Sequence, residues 1–181
     1  MKSLLRFLAV SALLVASVQA ADDVVSAVHG TITKLDSTTK TMVVKTKDGT
    51  EHSVHFVDKT AVWGADKTAA GAKDGFKGLS EGSEAVVHYT EKGGEKTATE
   101  VDKVGKDGLK YVDGTVTKVG KDGKTVVVKS ADGTEHTFHV AGQDTEDAAK
   151  GIGKATDKTG KVTVYYTEEG SKKVAHFFEK L

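Results

Sequence analysis

The sequence predicts an all-β protein of two tandem five-stranded small barrels, preceded by an export signal. Three observations predict it: the chain after residue 20 is written twice, its apolar residues alternate with period two, and glycine-containing pairs punctuate the alternating runs. Gly30-Thr31-Ile32-Thr33-Lys34 returns as Gly114-Thr115-Val116-Thr117-Lys118, and Asp48-Gly49-Thr50-Glu51-His52 as Asp132-Gly133-Thr134-Glu135-His136. At this offset of 84, 15 of the 27 positions from Gly30 to Phe56 are identical. Tyr89-Thr90-Glu91 returns as Tyr166-Thr167-Glu168 at an offset of 77, so the second copy is seven residues shorter in its middle. The implied units are a signal peptide at 1–20, a first barrel at 21–104, a linker at 105–109 and a second barrel at 110–181.

The first element is the signal. Lys2 and Arg6 form a positive start, an apolar stretch follows to Val18, and Val18-Gln19-Ala20 offers a small-residue cleavage site before the acidic Asp22-Asp23. A lasting membrane helix needs about 20 apolar residues, and this run is shorter. The expected location is the bacterial periplasm or beyond, with no stable membrane anchor after cleavage. The remaining 161 residues carry 24 basic and 26 acidic side chains, a net charge of −2. That balance excludes an electrostatic footprint for nucleic acid. With no cysteine, disulfides, thiol nucleophiles and cysteine-ligated metals are excluded. Stability must come from burial and backbone pairing.

The strands follow in order. In the first copy the alternating runs are 28–35, 41–46, 50–57, 84–90 and 95–104; in the second they are 110–119, 124–130, 134–140, 161–167 and 172–180. Asp48-Gly49 and Asp132-Gly133 join the second and third runs, and Gly93-Gly94 and Gly170-Ser171 join the last two. Alternation turns Val28, Ile32, Met42, Val44, Val54, Phe56, Val87 and Tyr89 inward. Their matches are Val112, Val116, Val126, Val128, Phe138, Val140, Val164 and Tyr166. Val54/Phe56 becoming Phe138/Val140 roughly conserves core volume. Between the third and fourth runs, 68–77 and 144–154 mix Ala, Lys and Gly and read as a short helix or a loop.

Three meandering strands, an interruption and two more strands is the order of the OB-fold, a five-stranded partly open barrel. A single ten-stranded β-sandwich is the alternative. The pattern G-T-[IV]-T-K, K-T-x-V-V-K, D-G-T-E and Y-T-E resembles the small exported bacterial β-barrel domains of unknown function that often occur in tandem with an OB-like layout. The resemblance spans nearly all of the mature chain. It implies a fold and no catalytic residue. Family members usually carry a G-D-x-V step before the fourth strand, which residues 81–85 and 158–162 match only approximately.

Chemistry is sparse. No nucleophile elbow, phosphate-binding loop, dinucleotide fingerprint or calcium loop is present, and the chain is expected not to be an enzyme. No cofactor is implied. Seven histidines are the enriched reactive type. His52/His55 and His136/His139 recur, but residues three apart in a strand face opposite ways and do not chelate. His52 and His136 read as rim histidines bonded to a backbone carbonyl. The outward His55, His88 and His139 are the candidate metal ligands, although Tyr165 replaces His88 in the second copy. Trp63, the only tryptophan, reads as a lid over one barrel end, with ligand stacking as its functional alternative. The expected function is a non-catalytic binding or structural module of the cell envelope, partnered by an envelope polymer or protein. The alternative is a periplasmic divalent-metal-binding protein.

Overall fold

A computed structural model describes residues 25–63, 70–71, 76, 78–106, 108–140 and 160–181. The signal peptide lies outside the described residues, as do segment 144–154 and all of 68–77 except residues 70, 71 and 76. Repeat one contains β1 (Val25–Asp36), β2 (Thr41–Lys45), β3 (Glu51–His55), β4 (Ala61–Trp63), β5 (Ala70–Gly71), β6 (Glu84–Lys92) and β7 (Glu95–Lys103). Repeat two contains β8 (Lys110–Val119), β9 (Thr125–Ser130), β10 (Glu135–Val140), β11 (Lys161–Glu169) and β12 (Lys172–Lys180). The fold is all-β, with two tandem small barrels.

Repeat two is a closed barrel in the order β10-β12-β11-β8-β9, with β10 and β12 parallel. Repeat one has the same circuit, β3-β2-β1-β6-β7, joined through the parallel pairing of His55 with Thr97. Counted within each repeat, the order is 1-2-3-5-4-1, an OB-like layout. The interruption in repeat one also contributes two short strands, β4 and β5, which extend its sheet to seven strands. Pairing of β3 with β7 stops at Thr97, and β4 takes the next stretch of that edge, Glu100 to Asp102. Thr60 fixes the entry: its buried hydroxyl donates to Ala98 O at 2.7 Å and accepts from Val57 N at 3.0 Å.

The duplication extends to the irregularities. The first strand of each repeat carries a bulge at the matched threonines, between Ile32 and Lys34 and between Val116 and Lys118. Thr33 and Thr117 each donate their hydroxyl across to a carbonyl of the second strand, at 3.3 Å in both cases. A bulge raises local twist and bends the strand, which a closing barrel requires. The Asp-Gly hairpins also match. Gly49 (φ 89°) and Gly133 (φ 87°) take the left-handed conformation. Asp132 accepts hydrogen bonds from the Ser130 hydroxyl and the Thr134 amide, which hold its carboxyl down to about 2.

All eight residues expected inward in repeat one are buried in a single core. In repeat two, Val116, Val126, Val128, Phe138, Val164 and Tyr166 are buried, with Val112 and Val140 packed partly buried against them. The fourth strands are buried on both faces. In β6, Ala85, Val87 and Tyr89 face the barrel interior, while Val86 joins a different cluster with Val104, Leu109 and Tyr165. In β11, Val162, Val164 and Tyr166 face inward, and Tyr165 faces out into that cluster, backed by Phe177. The two barrels therefore dock through the outer faces of their fourth and fifth strands. Leu109, in the linker, is buried in the seam.

Candidate functional site

The repeated histidines resolve first. Lys96 Nζ lies 3.0 Å from His52 Nδ1, and Lys173 Nζ lies 2.8 Å from His136 Nδ1. The same lysines sit 5.3 Å over the rings of Tyr89 and Tyr166. Each repeat thus has a Lys–His–Tyr rim cluster, and the partner of the imidazole is an ammonium, not the expected carbonyl. An ammonium has only donors, so Nδ1 is the acceptor in each contact. Burial and then Lys96 lower the His52 pKa from its ordinary 6.5. The folded state therefore binds fewer protons than the unfolded one. The His52 contribution is intact above the ordinary value, and stability falls as the pH drops from there toward the lower folded value. An NMR titration should place His52 below the normal histidine range. Lys96→Ala should raise it only part of the way, since burial is the larger cause. An unshifted His52, or full recovery in the variant, would contradict this account.

The docked faces line a cleft of about 440 Å³ between the repeats. Repeat one contributes His29, Lys45 and Lys47, and repeat two contributes Tyr111, Asp113 and Glu179. Tyr165 lies at its base. The Tyr165 hydroxyl donates to Glu179 Oε2 at 2.9 Å and lies 3.0 Å from His29 Nδ1. A phenol has one proton, so when that proton points at Glu179 the donor to the Tyr165 oxygen is the Nδ1–H of His29, which also lies 3.2 Å from Glu179 Oε2. Burial, then the Glu179 carboxylate, pushes the Tyr165 phenol well above its ordinary value. Rings of His29 (4.5 Å), Phe177 (6.0 Å) and Tyr111 (6.1 Å) surround that of Tyr165, and Tyr111 is 60% exposed.

A second polar cluster lies in the same seam. Ligand atoms of Glu100, Asp102 and His176 all fall within 4.8 Å of one another. Asp102 Oδ2 is 3.8 Å from both His88 Nε2 and His176 Nδ1. Asp102 is 1% exposed, and its Oδ2 has no hydrogen-bond partner among the described residues. Burial, reinforced by the neighbouring Glu100 charge, pushes its carboxyl up to about 8 against the opposing pull of His88. His176 arrives there through a β-bulge: Tyr165 pairs with Phe177 and Tyr166 with Ala175, leaving His176 as the extra residue. Bulges re-aim side chains in this way. At the repeat offset of 77, His88 and Asp102 match Tyr165 and Glu179. The two polar pairs are thus the same two strand positions seen from opposite sides of the seam.

Of the residues singled out in the sequence, His55 and His139 are exposed on β3 and β10. His88 is on the outer face of its barrel and is buried, because the second repeat covers that face. Trp63 ends β4, in register with Asp102, and is 42% exposed. Sequence reasoning passed over Glu100, Asp102, His176, His29, Tyr165 and Glu179. One signal was available: 85–89 and 162–166 are runs of five without polar alternation beyond His88 and Thr163, as in a strand buried on both faces.

No protein-family model matches the chain, and no curated protein matches it. Among solved structures it is similar to the crystal structure of the tetrameric p202 HIN2, at 12% identity and a TM-score of 0.29, covering 89% of this chain and 96% of that one. A likeness this loose carries no argument about fold or function.

Proposed function

We propose that this protein is an exported, non-catalytic binding module of the bacterial cell envelope, and that it holds a sugar-containing envelope polymer in the cleft between its barrels. The observation that supports this reading is the composition of the cleft. It sets an exposed aromatic ring, Tyr111, among ammonium groups, carboxylates and the hydroxyls of Thr31, Thr46 and Thr163. Sugar rings stack on aromatic faces while their hydroxyls bond to such groups, and the mixed charge suits a polymer carrying both amines and carboxylates, as peptidoglycan does. The non-catalytic part rests on the titratable groups at the base. A phenol raised by burial and a carboxylate is a poor proton donor and a poor nucleophile at neutral pH. Export rests on residues 1–20.

The test is co-sedimentation of the mature chain with purified peptidoglycan. Binding should weaken with salt, because the cleft charges are solvated. Tyr111→Ala, at an exposed position, should leave the melting temperature unchanged and weaken binding at least about tenfold, or about 1.4 kcal/mol. A chain that stays in the supernatant at low salt, or a variant that binds as wild type, would remove this reading.

A further inference from the structure

We propose that Glu100, Asp102 and His176, with His88 as fourth donor, form a zinc site that clamps the two repeats together. Four observations lead there. The three groups converge within 4.8 Å, and they come from both sides of the seam: Glu100, Asp102 and His88 from repeat one, His176 from repeat two. The Asp102 carboxylate is buried with an unpartnered oxygen aimed into the cluster. A buried polar atom left without a partner calls for a cause, and a bound cation is one. His176 is already oriented as a ligand. Its Nε2 is 3.0 Å from the Thr167 hydroxyl, so an Nε2–H donating to Thr167 turns the Nδ1 lone pair toward Asp102. This is the outer hydrogen bond that ligating histidines commonly make. Finally, His88 Nε2 approaches the same Asp102 oxygen at 3.8 Å.

The donor set selects the ion. Two imidazoles and two carboxylates suit a borderline divalent metal, whereas magnesium and calcium prefer all-oxygen shells. Zinc bonds of about 2.0–2.2 Å in a tetrahedron place donors about 3.3 Å apart. The 3.8 Å contacts of Asp102 with His88 and His176 need contract by about half an ångström, and the remaining separations among Glu100, Asp102 and His176, all within 4.8 Å, by about 1.5 Å at most; His88 completes the tetrahedron by a side-chain rotation. A site with one or more donors from each repeat would also lock the barrels at a fixed angle. The site differs from the exposed His55 and His139 and does not depend on what the cleft binds.

The experiment is native mass spectrometry of the tag-free mature chain with zinc, with affinity measured by competition against a chromophoric chelator. One equivalent should be retained, and saturating zinc should raise the melting temperature. His176→Gln, at a partly exposed position, should lower affinity at least tenfold and abolish the thermal shift while remaining folded. Asp102→Asn should do the same; should it fail to fold, His176→Gln and Glu100→Gln carry the test. A His55→Ala/His139→Ala double variant should bind as wild type. Absence of a stoichiometric zinc adduct, unchanged affinity in His176→Gln, or loss of zinc in the double variant would each overturn the proposal.

Discussion

Phe138→Ala is expected to destabilise the second barrel by about 3–5 kcal/mol, read as a drop in the urea midpoint of the mature chain. Phe138 is the largest fully buried side chain among the described residues, and its ring meets Tyr166 edge-on at 5.2 Å. The ammonium of Lys173 lies 6.0 Å over it and also reaches His136, so truncation loosens the rim cluster as well. A loss of this size is a large share of the roughly 5–15 kcal/mol that typical domains possess. The matched position in repeat one is Val54, and the ring there is moved to Phe56. Phe56 packs edge-on against Phe76 at 4.7 Å, from the interruption between the third and fourth strands. The volume-conserving swap is therefore tied to a local partner. Rewriting repeat two as Phe138→Val/Val140→Phe should recover less than half of the alanine loss, because the interruption of repeat two, residues 141–160, contains no aromatic residue to play the part of Phe76. Full recovery by the double variant, or a loss under about 1 kcal/mol in Phe138→Ala, would show that the core is looser than this packing implies.

The second large effect is expected at Gly30 and Gly114. A Cβ on Gly30 would stand 2.4 Å from Lys45 O and 2.8 Å from Val44 Cγ1; on Gly114 it would stand 2.5 Å from Val128 Cγ1 and 2.6 Å from Lys129 O. The obstacles are carbonyl oxygens and buried valines of the second strand, neither of which moves without opening the ladder. Gly30→Ala and Gly114→Ala should each cost about 3 kcal/mol, at the upper end of the range for overpacking. Gly49→Ala is the control. Its Cβ would meet nothing within 4 Å, so only its positive φ is disfavoured, and the cost should be about 1 kcal/mol. Chemical denaturation of the three variants separates close approach from turn strain. Equal losses at Gly30 and Gly49 would remove the close-approach account.

These glycines show how much was legible beforehand. Gly30 and Gly114 head the repeated motif, and the duplication identified them without geometry. The same holds for strand limits and inward residues, since alternation and turn chemistry are local properties that survive docking. The interruption in repeat one was not legible. Ala61, Val62 and Trp63 are too few to show a period, and β4 forms because β7 has a free edge beyond its pairing with β3. The candidate site was legible only in part. His88 was assigned to the correct outer face, but the sequence could not say that this face is covered.

By itself, then, the chain determined two copies of one barrel, their strands and their cores. The docking of the two barrels decided the rest. It made His88 and Asp102 buried, brought His176 across from the other repeat, and set Tyr165 between His29 and Glu179. The physical reason lies in distance along the chain. An inward residue is specified by neighbours two positions away, whereas a seam residue is specified by a surface contributed by the other repeat, whose approach no local periodicity encodes.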